Sequence, residues 1–171
     1  MRVLGIDPGL TRCGVAVISG APGRRLDALH IGVITTDPDL PLPQRLLLVE
    51  AEIESLVALH NPDVVAVERV FSQHNVRSAM GTAQAAAMGF LVAARHGITV
   101  VTHTPTEVKA AVTGNGRADK AQVTAMVTRL LQLPAPPKPA DAADAVAIAV
   151  CHVWRGSAQA KINAALEAAG R

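Results

Sequence analysis

The sequence opens with Arg2-Val3-Leu4-Gly5-Ile6-Asp7-Pro8-Gly9, a short apolar run that ends in an acid and a Pro-Gly turn signal. A second apolar run, Cys13 to Ile18, closes at Ser19-Gly20, and the segment from Leu26 to Thr35 again carries regularly placed apolar residues. Runs of about 4–8 residues between turn signals are typical of strands. Three of them joined by tight turns predict an antiparallel meander.

Helices and strands alternate in the next part of the chain. Residues 45–59 have apolar side chains at helical spacing, and Asn61-Pro62 ends that helix. The run Val64–Val67 is apolar throughout, which is typical of a strand buried on both faces. A helix over 76–95 and a strand over 98–102 follow. We therefore predict an α/β fold whose mixed five-stranded sheet has three antiparallel strands, then two parallel ones, with helices on both faces.

The last third of the chain is predicted to be helical. Two short helices, separated by Gly114-Asn115-Gly116, precede a proline-rich connector. An apolar helix over 140–155 follows, and after it a short amphipathic segment over 158–169. We therefore divide the chain into one domain, residues 1–155, and a C-terminal helical tail, residues 156–171.

Composition narrows the class of protein. The chain has 171 residues, of which 50% are apolar and 18% are charged, as in a globular domain. No apolar run reaches the roughly 18 residues that a membrane span needs, and the N-terminus lacks a signal-peptide pattern. Cys13 and Cys151 lie far apart in no ligand-spaced pair, which disfavours a disulfide framework and a zinc site. We expect a cytoplasmic protein that does not associate with membranes.

Charge is unevenly distributed along the chain. Residues 37–68 contain seven acidic side chains and one basic one, whereas residues 69–138 contain eight basic and two acidic ones. A basic middle segment indicates one positively charged face, which would suit a nucleic acid. The alternative, charges spread evenly over a solvated surface, stays open on this observation alone.

Two acids stand at strand ends. Asp7 is the last residue of the first predicted strand, and Glu68 is the last residue of the fourth. If these strands are parallel neighbours, both carboxylates emerge at the sheet edge where open α/β folds bind ligands. Taken singly, Asp7 has the alternative role of a turn former, and Glu68 that of an ordinary strand end.

Two more acids open the last long helix. Asp141 and Asp144 are three residues apart, so they share one helix face. A helix N-terminus favours acids, which explains one of them, but Asp144 lies among Ala, Val and Ile. A carboxylate buried without a cation is costly. Together with Asp7 and Glu68, these acids predict a site for Mg²⁺, and a pair of such ions can cleave a phosphodiester.

Basic and aromatic residues are candidate nucleic-acid contacts. Lys109 lies on a predicted short helix, and Lys120 follows a Gly-Asn-Gly loop with Arg117 beside it. This pattern suits phosphate contact, although no Walker-type loop occurs and a lone lysine is more often solvated. Phe71 lies in a polar loop after Glu68, where it would stack on bases or wedge between them. A buried core position is the alternative for Phe71.

Five motifs follow one another in a characteristic order. They are Ile6-Asp7-Pro8-Gly9-Leu10-Thr11, Val67-Glu68-Arg69-Val70-Phe71, Thr104-Pro105-Thr106-Glu107-Val108-Lys109, Gly114-Asn115-Gly116 with Lys120, and Ala140-Asp141-Ala142-Ala143-Asp144-Ala145. This combination resembles the bacterial RuvC crossover-junction endodeoxyribonucleases, the Holliday junction resolvases. The resemblance covers nearly the whole chain, from Met1 to about Trp154.

The resemblance implies a fold, an activity and partners. The family has a ribonuclease H-like fold, which would make residues 1–155 a nuclease domain. Its members act as homodimers that use two Mg²⁺ ions per subunit, or Mn²⁺, to nick a four-way DNA junction symmetrically. The nicks leave 5′-phosphate and 3′-hydroxyl ends. The family works in DNA recombination and repair with the branch-migration complex of RuvA and RuvB type proteins.

The resemblance also assigns roles to residues. The acidic metal ligands of the family correspond to Asp7, Glu68, Asp141 and Asp144. Its DNA-binding residues correspond to Lys109, Lys120 and the stacking Phe71. We add Arg69 and Arg117, which adjoin these motifs, as further DNA-binding candidates. The dimer helix of the family corresponds to the segment around 76–95.

Three other interpretations stay open. Actin-like ATPases and sugar kinases share a related fold and an opening strand that ends in Asp-x-Gly, but they are longer and carry a second glycine-rich motif. A ribonuclease H-like enzyme acting on RNA–DNA hybrid or on ribosomal RNA precursors would have similar carboxylates; the Phe71 loop and Gly114-Asn115-Gly116 favour the junction enzyme. A non-catalytic junction-binding module would not need the four acids, because they repel DNA.

Overall fold

The structure, a computed structural model, describes residues 1–69 and 76–169, with side chains for 1–69 and 79–156. These residues form five strands and five helices. The strands are β1 (Arg2–Asp7), β2 (Arg12–Ser19), β3 (Asp27–Thr35), β4 (Val64–Glu68) and β5 (Thr99–His103). The helices are α1 (Leu42–His60), α2 (Val76–Arg95), α3 (Pro105–Thr113), α4 (Lys120–Leu130) and α5 (Ala140–Ala169).

The strands make one mixed sheet in the order β3-β2-β1-β4-β5. β1 pairs antiparallel with β2, and β2 pairs antiparallel with β3. β1 with β4, and β4 with β5, are parallel pairs. The predicted α/β fold, with three antiparallel strands followed by two parallel ones, is confirmed.

Helices cover both faces of the sheet. On one face α5, together with α3 and α4, encloses a core that contains Val3 and Ile148. On the other face α1 and α2 enclose a core that contains Leu4 and Ile53. Neighbouring residues of β1 therefore belong to opposite cores, since successive side chains of a strand point to opposite faces. This explains why the central strands are apolar throughout.

Helix α1 begins at Leu42, three residues before the predicted start at Arg45. Pro41 is the N-cap and Pro43 lies in the first turn. These prolines predict a loop. A proline in the first turn nevertheless costs no helical hydrogen bond, because the N–H that proline lacks would have no partner within the helix at that position. Asn61 ends the helix as predicted, in a left-handed conformation at φ 44°.

Helix α5 is a single helix of 30 residues. The sequence predicts a separate segment over 158–169, and that boundary is wrong. Gly156 lies against the buried ring of His152, and a Cβ on this glycine would collide with the ring. The glycine therefore makes room for a neighbouring side chain instead of ending the helix. The division into a domain of residues 1–155 and a tail of residues 156–171 stays a prediction.

Within the described ranges, no helix is long and apolar enough to cross a membrane. Cys13 and Cys151 are both buried and carry free thiols. Burial raises the pKa of Cys13 to about 12 and that of Cys151 to about 11. Because the thiolate is the reactive form, neither cysteine is a candidate nucleophile.

Candidate active site

Asp7 and Glu68 lie at the same edge of the sheet. β1 and β4 are parallel neighbours with Ile6 opposite Val67, and the next residue of each strand is one of the two acids. Glu68 in turn lies opposite His103 of β5. The structure thus places both carboxylates at the carboxyl ends of adjacent parallel strands, where open α/β sheets bind ligands.

Two glycines allow the first turns of α5 to lie directly on this edge. Gly14 is paired with Asp7 across β1 and β2, and a Cβ on Gly14 would collide with the carbonyl oxygen of Asp141. A Cβ on Gly5 would likewise collide with the carbonyl oxygen of Ala145. A glycine within a strand often marks such a close approach of another backbone. The contact places the acids of α5 beside Asp7.

Three of the four predicted acids line one pocket of about 230 Å³ together with two lysines. The charged residues of its lining are Asp7, Glu68, Asp144, Lys109 and Lys120. Asp141 is not part of the lining, but its charge is close enough to raise the pKa of Asp7. Side chains from β1, β4, α3, α4 and α5 therefore meet at one place, although they are distant in the sequence.

Burial and mutual repulsion raise the pKa values of the pocket acids. Burial is the largest cause for Asp7, followed by the charges of Glu68, Asp144 and Asp141; a nearby lysine opposes them, and the pKa of Asp7 rises from 3.8 to about 7. Burial and the charge of Asp144 also raise the pKa of Glu68, against the opposing charges of the two pocket lysines. Negative charge is therefore crowded in this pocket and short of compensation.

Each acid of α5 has a basic partner on another element. Lys120 Nζ lies 2.8 Å from Asp144 Oδ2, and this hydrogen bond raises the pKa of Lys120. Arg12 Nε lies 3.2 Å from Asp141 Oδ2. Among the ion pairs of the described residues, none includes Asp7 or Glu68. Of the four acids, the two strand-end ones therefore make no ion pair, although lysine charges act on both of them.

Arg12 is a residue of this site that the sequence analysis did not single out. Its pairing with Asp141 depends on the docking of α5 across β1 and β2, which no local pattern shows. The available signal is its position. Arg12 opens β2 directly after the turn that follows Asp7, so its side chain starts at the same sheet edge.

The donor chemistry of the pocket suits a hard divalent cation. Mg²⁺ binds carboxylate oxygens, and a cation here would relieve the repulsion that raises the pKa of Asp7. Within the described residues, no three His, Cys, Asp or Glu side chains already form a group that could hold a metal ion. The carboxylates of Asp141 and Asp144 contact Arg12 and Lys120 instead. Metal binding would therefore require these carboxylates to exchange partners.

Capped helices hold the two pocket lysines. Each helix starts with a capping box, formed by Thr104 and Glu107 in α3 and by an Asp and a Gln in α4. Lys109 lies in the middle of α3, and Lys120 is the first residue of α4. Gly114 ends α3 at φ 77°, a left-handed conformation that glycine adopts readily. These local signals fix the ends of both helices and so position the two lysines.

Arg69 and Arg117, two further DNA-binding candidates, are not part of the pocket lining. The N–H of Arg69 donates to the carbonyl oxygen of His103 at 2.8 Å, which ties this residue to the end of β5. Arg117 is exposed in the loop before α4, where its N–H donates to Asn115 Oδ1 at 2.9 Å. Phe71 lies outside the described residues, so its stacking role stays a prediction.

A histidine pair joins the end of β5 to α5. His103 Nε2 lies 3.2 Å from His152 Nδ1, and the ring centroids are 5.3 Å apart. Burial is the main cause that lowers the pKa of both rings, to about 4 for His152. The lowered pKa values favour the neutral form of both rings, in which one nitrogen can donate to the other. Neither histidine lines the carboxylate pocket.

Comparison with known proteins identifies relatives along nearly the whole chain. The family model described as crossover junction endodeoxyribonuclease RuvC matches residues 3–152, a range that includes all four acids. A crossover junction endodeoxyribonuclease RuvC from Salinispora arenicola is 63% identical over 171 residues, which are 100% of this chain and 98% of that relative.

Solved structures of Thermus thermophilus RuvC have the same ribonuclease H-like fold. One of them is 32% identical with a TM-score of 0.85, over 93% of this chain and 97% of that one. A second, solved in complex with a Holliday junction substrate, is 33% identical with a TM-score of 0.87, over 91% and 94% of the two chains. The chain therefore belongs to the RuvC family of crossover junction endodeoxyribonucleases.

Proposed function

We propose that this chain resolves four-way (Holliday) DNA junctions during recombination and repair by paired, symmetric nicks. The observation that carries this proposal is the pocket in which Asp7, Glu68 and Asp144 lie together with Lys109 and Lys120. Carboxylates bind the cations used in phosphodiester cleavage, and lysines bind phosphate. The Thermus thermophilus relative, with a TM-score of 0.87, was solved with such a junction.

The proposed cofactor is a pair of Mg²⁺ ions, for which Mn²⁺ can substitute. Asp7, Glu68, Asp141 and Asp144 are the residues that would hold them. When bound, the ions supply an activated water and neutralise charge on the scissile phosphate. The raised pKa of Asp7 supports this assignment, since such a pKa indicates a site that favours added positive charge.

The basic side chains of the pocket prepare it for a polyanion. Lys109 and Lys120 would bind the non-bridging oxygens of the phosphate and stabilise the charge that develops on them in the transition state. Attack by the water oxygen forms a new bond to phosphorus, and the bond to the 3′ oxygen breaks. The 3′ oxygen then takes up a proton, so the products carry 5′-phosphate and 3′-hydroxyl ends.

A homodimer would supply the symmetry that paired nicks require, since a junction presents two equivalent strands. Helix α2 offers a surface for it. Its side chains of Met80, Phe90 and Leu91 are 58%, 39% and 42% exposed. Large apolar side chains grouped on one helix are usually covered by a partner. A dimer formed through α2 would bring two pockets into one assembly.

The remaining assignments extend family properties to this chain. Phe71, Arg69 and Arg117 would bind DNA around the pocket. Residues 1–155 would carry the nuclease activity, with 156–171 as a tail. The expected partners are the RuvA and RuvB type proteins of the branch-migration complex, and the expected compartment is the cytoplasm.

A nicking assay on a synthetic, mobile four-way junction tests the proposal. Linear duplex and RNA–DNA hybrid of matched sequence serve as competing substrates, each with Mg²⁺, with Ca²⁺ or with a chelator. We expect paired nicks at symmetric positions, on the junction alone and with Mg²⁺. Cleavage of the hybrid without cleavage of the junction would show a ribonuclease H activity instead and would overturn the proposal.

A further inference from the structure

Positive charge borders the carboxylate pocket on two sides. Lys109 and Lys120 line it from α3 and α4, near the end of β4, since both lower the pKa of Glu68. Arg12 stands at the start of β2, and β2 and β4 lie on opposite sides of β1 in the sheet. A nucleic-acid strand that crosses the pocket from the lysine side would therefore continue toward Arg12.

The turn before Arg12 is anchored by hydrogen bonds, whereas the side chain of Arg12 is exposed. The turn before it is anchored by the buried Thr36, whose hydroxyl donates to the Leu10 carbonyl oxygen at 2.6 Å. Arg45 donates to the hydroxyls of Thr36 and Thr11 at 2.8 and 2.7 Å. The side chain of Arg12, by contrast, is 62% exposed. Its guanidinium can therefore change partners without a change in the backbone.

The observed partner of Arg12 is the carboxylate of Asp141. The contact joins a single guanidinium nitrogen, Nε, to Oδ2 at 3.2 Å, and Asp141 is 24% exposed. Exposed ion pairs of this kind contribute little to stability, so an exchange of partners costs little. Because Asp141 also lies close enough to Asp7 to raise its pKa, a cation bound at Asp7 would attract the same carboxylate that Arg12 holds.

We propose that Arg12 binds a phosphate of the substrate strand next to the scissile one, and that Asp141 holds Arg12 in place until metal binding releases it. The inference rests on the proposed function, because it requires both a metal and a DNA strand at the pocket. A guanidinium suits this task, since its donors match the two oxygens of a phosphate. Metal binding would thereby prepare the β2 side of the pocket for DNA.

Two binding measurements distinguish phosphate binding by Arg12 from a purely structural ion pair with Asp141. The first is the affinity for Mn²⁺ without DNA, measured by electron paramagnetic resonance or calorimetry. The second is the affinity for a labelled four-way junction, measured by fluorescence anisotropy with Ca²⁺ and with a chelator over a range of salt concentrations. Both are measured for the wild type and for Arg12→Gln, which removes the charge.

Arg25→Gln is the matched control. Arg25 is an exposed arginine whose Nε lies 3.3 Å from Asp27 Oδ1, so its pairing resembles that of Arg12. It lies at the opposite end of the sheet, because Asp27 is paired with Ser19 at the far end of β2. Its loss tests whether a change of net charge alone explains any effect.

For Arg12→Gln we expect an affinity for Mn²⁺ that is about two- to fivefold higher than in the wild type, because a competing cation is removed. Junction affinity with Ca²⁺ should fall by about three- to tenfold. The slope of log affinity against log salt concentration should become shallower by about 1, as expected for the loss of about one phosphate contact. Without metal, the two proteins should bind the junction equally. Arg25→Gln should match the wild type throughout.

Either of two results would overturn the inference while leaving the proposed function intact. In one, Arg12→Gln matches Arg25→Gln in both measurements although the wild type nicks the junction. In the other, Arg12→Gln binds Mn²⁺ more weakly and the junction normally, which would show that Arg12 only positions Asp141. Failure of the wild type to nick any junction would reject the proposed function, and this inference with it.

Discussion

The carbonyl oxygen of Asp141 occupies the place where a side chain on Gly14 would lie. Gly14 is the residue of β2 that pairs with Asp7 of β1, so the missing side chain brings the first turn of α5 to the side of that acid. The spacing of the site thus depends on packing as well as on the acids themselves.

Gly14→Ala should damage both stability and activity. The added Cβ meets backbone atoms of Asp141, which cannot move without shifting α5, and such overpacking typically costs about 1–3 kcal/mol. Urea unfolding and junction nicking measure the two effects. Gly81→Ala is the control, because its Cβ would make only an ordinary contact with Leu10, at 3.7 Å. Equal stability of the two variants would contradict the packing argument.

Asp7→Asn should stabilise the metal-free protein in a pH-dependent way. The pKa of Asp7 is raised from 3.8 to about 7 in the folded state. The carboxyl group therefore costs no stability below the unfolded-state pKa, and its full cost is present above pH 7. The stability gain of Asp7→Asn should grow from about pH 4 to about pH 7, toward a plateau on the order of 4 kcal/mol. Urea unfolding with a chelator at several pH values measures it; a gain that is the same at pH 4 and pH 8 would contradict the assignment.

Divalent metal should reduce that gain, because it stabilises the wild type more than the variant. A ligand that binds only the folded state raises stability by roughly 2–3 kcal/mol at about 100 times its dissociation constant. Mg²⁺ should therefore raise the unfolding midpoint of the wild type and, far less, that of Asp7→Asn or Glu68→Gln. Arg25→Gln, which is distant from the pocket, serves as the control. A midpoint of the wild type that does not respond to Mg²⁺ would count against these acids as ligands.

Lys109→Ala should slow nicking by about 10²-fold with little loss of stability, because a positioned cation stabilises transition-state charge. Lys109 lines the pocket, and its charge lowers the pKa of Glu68. Single-turnover cleavage of a bound junction separates this effect from binding. Lys138→Ala, an exposed lysine of the connector before α5, is the control. Similar rates for the two variants would place Lys109 outside the chemistry.

If α2 forms the proposed dimer contact, Phe90→Glu should yield monomers. Phe90 is 39% exposed on α2, and a buried charge at a subunit contact is strongly unfavourable. Sedimentation velocity measures the assembly state. Leu47→Glu is the control, since Leu47 is 66% exposed on α1, on the neighbouring helix. A dimer that persists in Phe90→Glu but not in Leu47→Glu would move the contact to α1.

Local patterns predict the strand-end acids well. Asp7 precedes a Pro-Gly turn, and Glu68 ends an apolar run, so both strand ends are visible in the sequence. The parallel pairing of β1 with β4 then places them at one edge. The type and order of the described strands and helices follow from the same signals, because each has a consistent period.

Most differences between the predicted and the observed features arise where the role of a residue depends on a neighbour in space. The start of α1 differs for a local reason, since Pro43 is tolerated in the first turn of a helix. The helix predicted to end at residue 155 continues, because Gly156 makes room for the ring of His152. Arg12 was missed because its partner Asp141 is brought to it only by the docking of α5. Such contacts depend on long-range packing, which the pattern of one segment does not contain.

The metal site at the β1–β4 edge is tested by comparing the wild type and Asp7→Asn on one mobile four-way junction with Mg²⁺. Nicking and binding are measured on the same preparations. If the acids at the β1–β4 edge hold the catalytic metal, the wild type makes paired symmetric nicks, while Asp7→Asn binds the junction and leaves it intact. Nicking by Asp7→Asn at the rate of the wild type would show that these acids do not hold the catalytic metal.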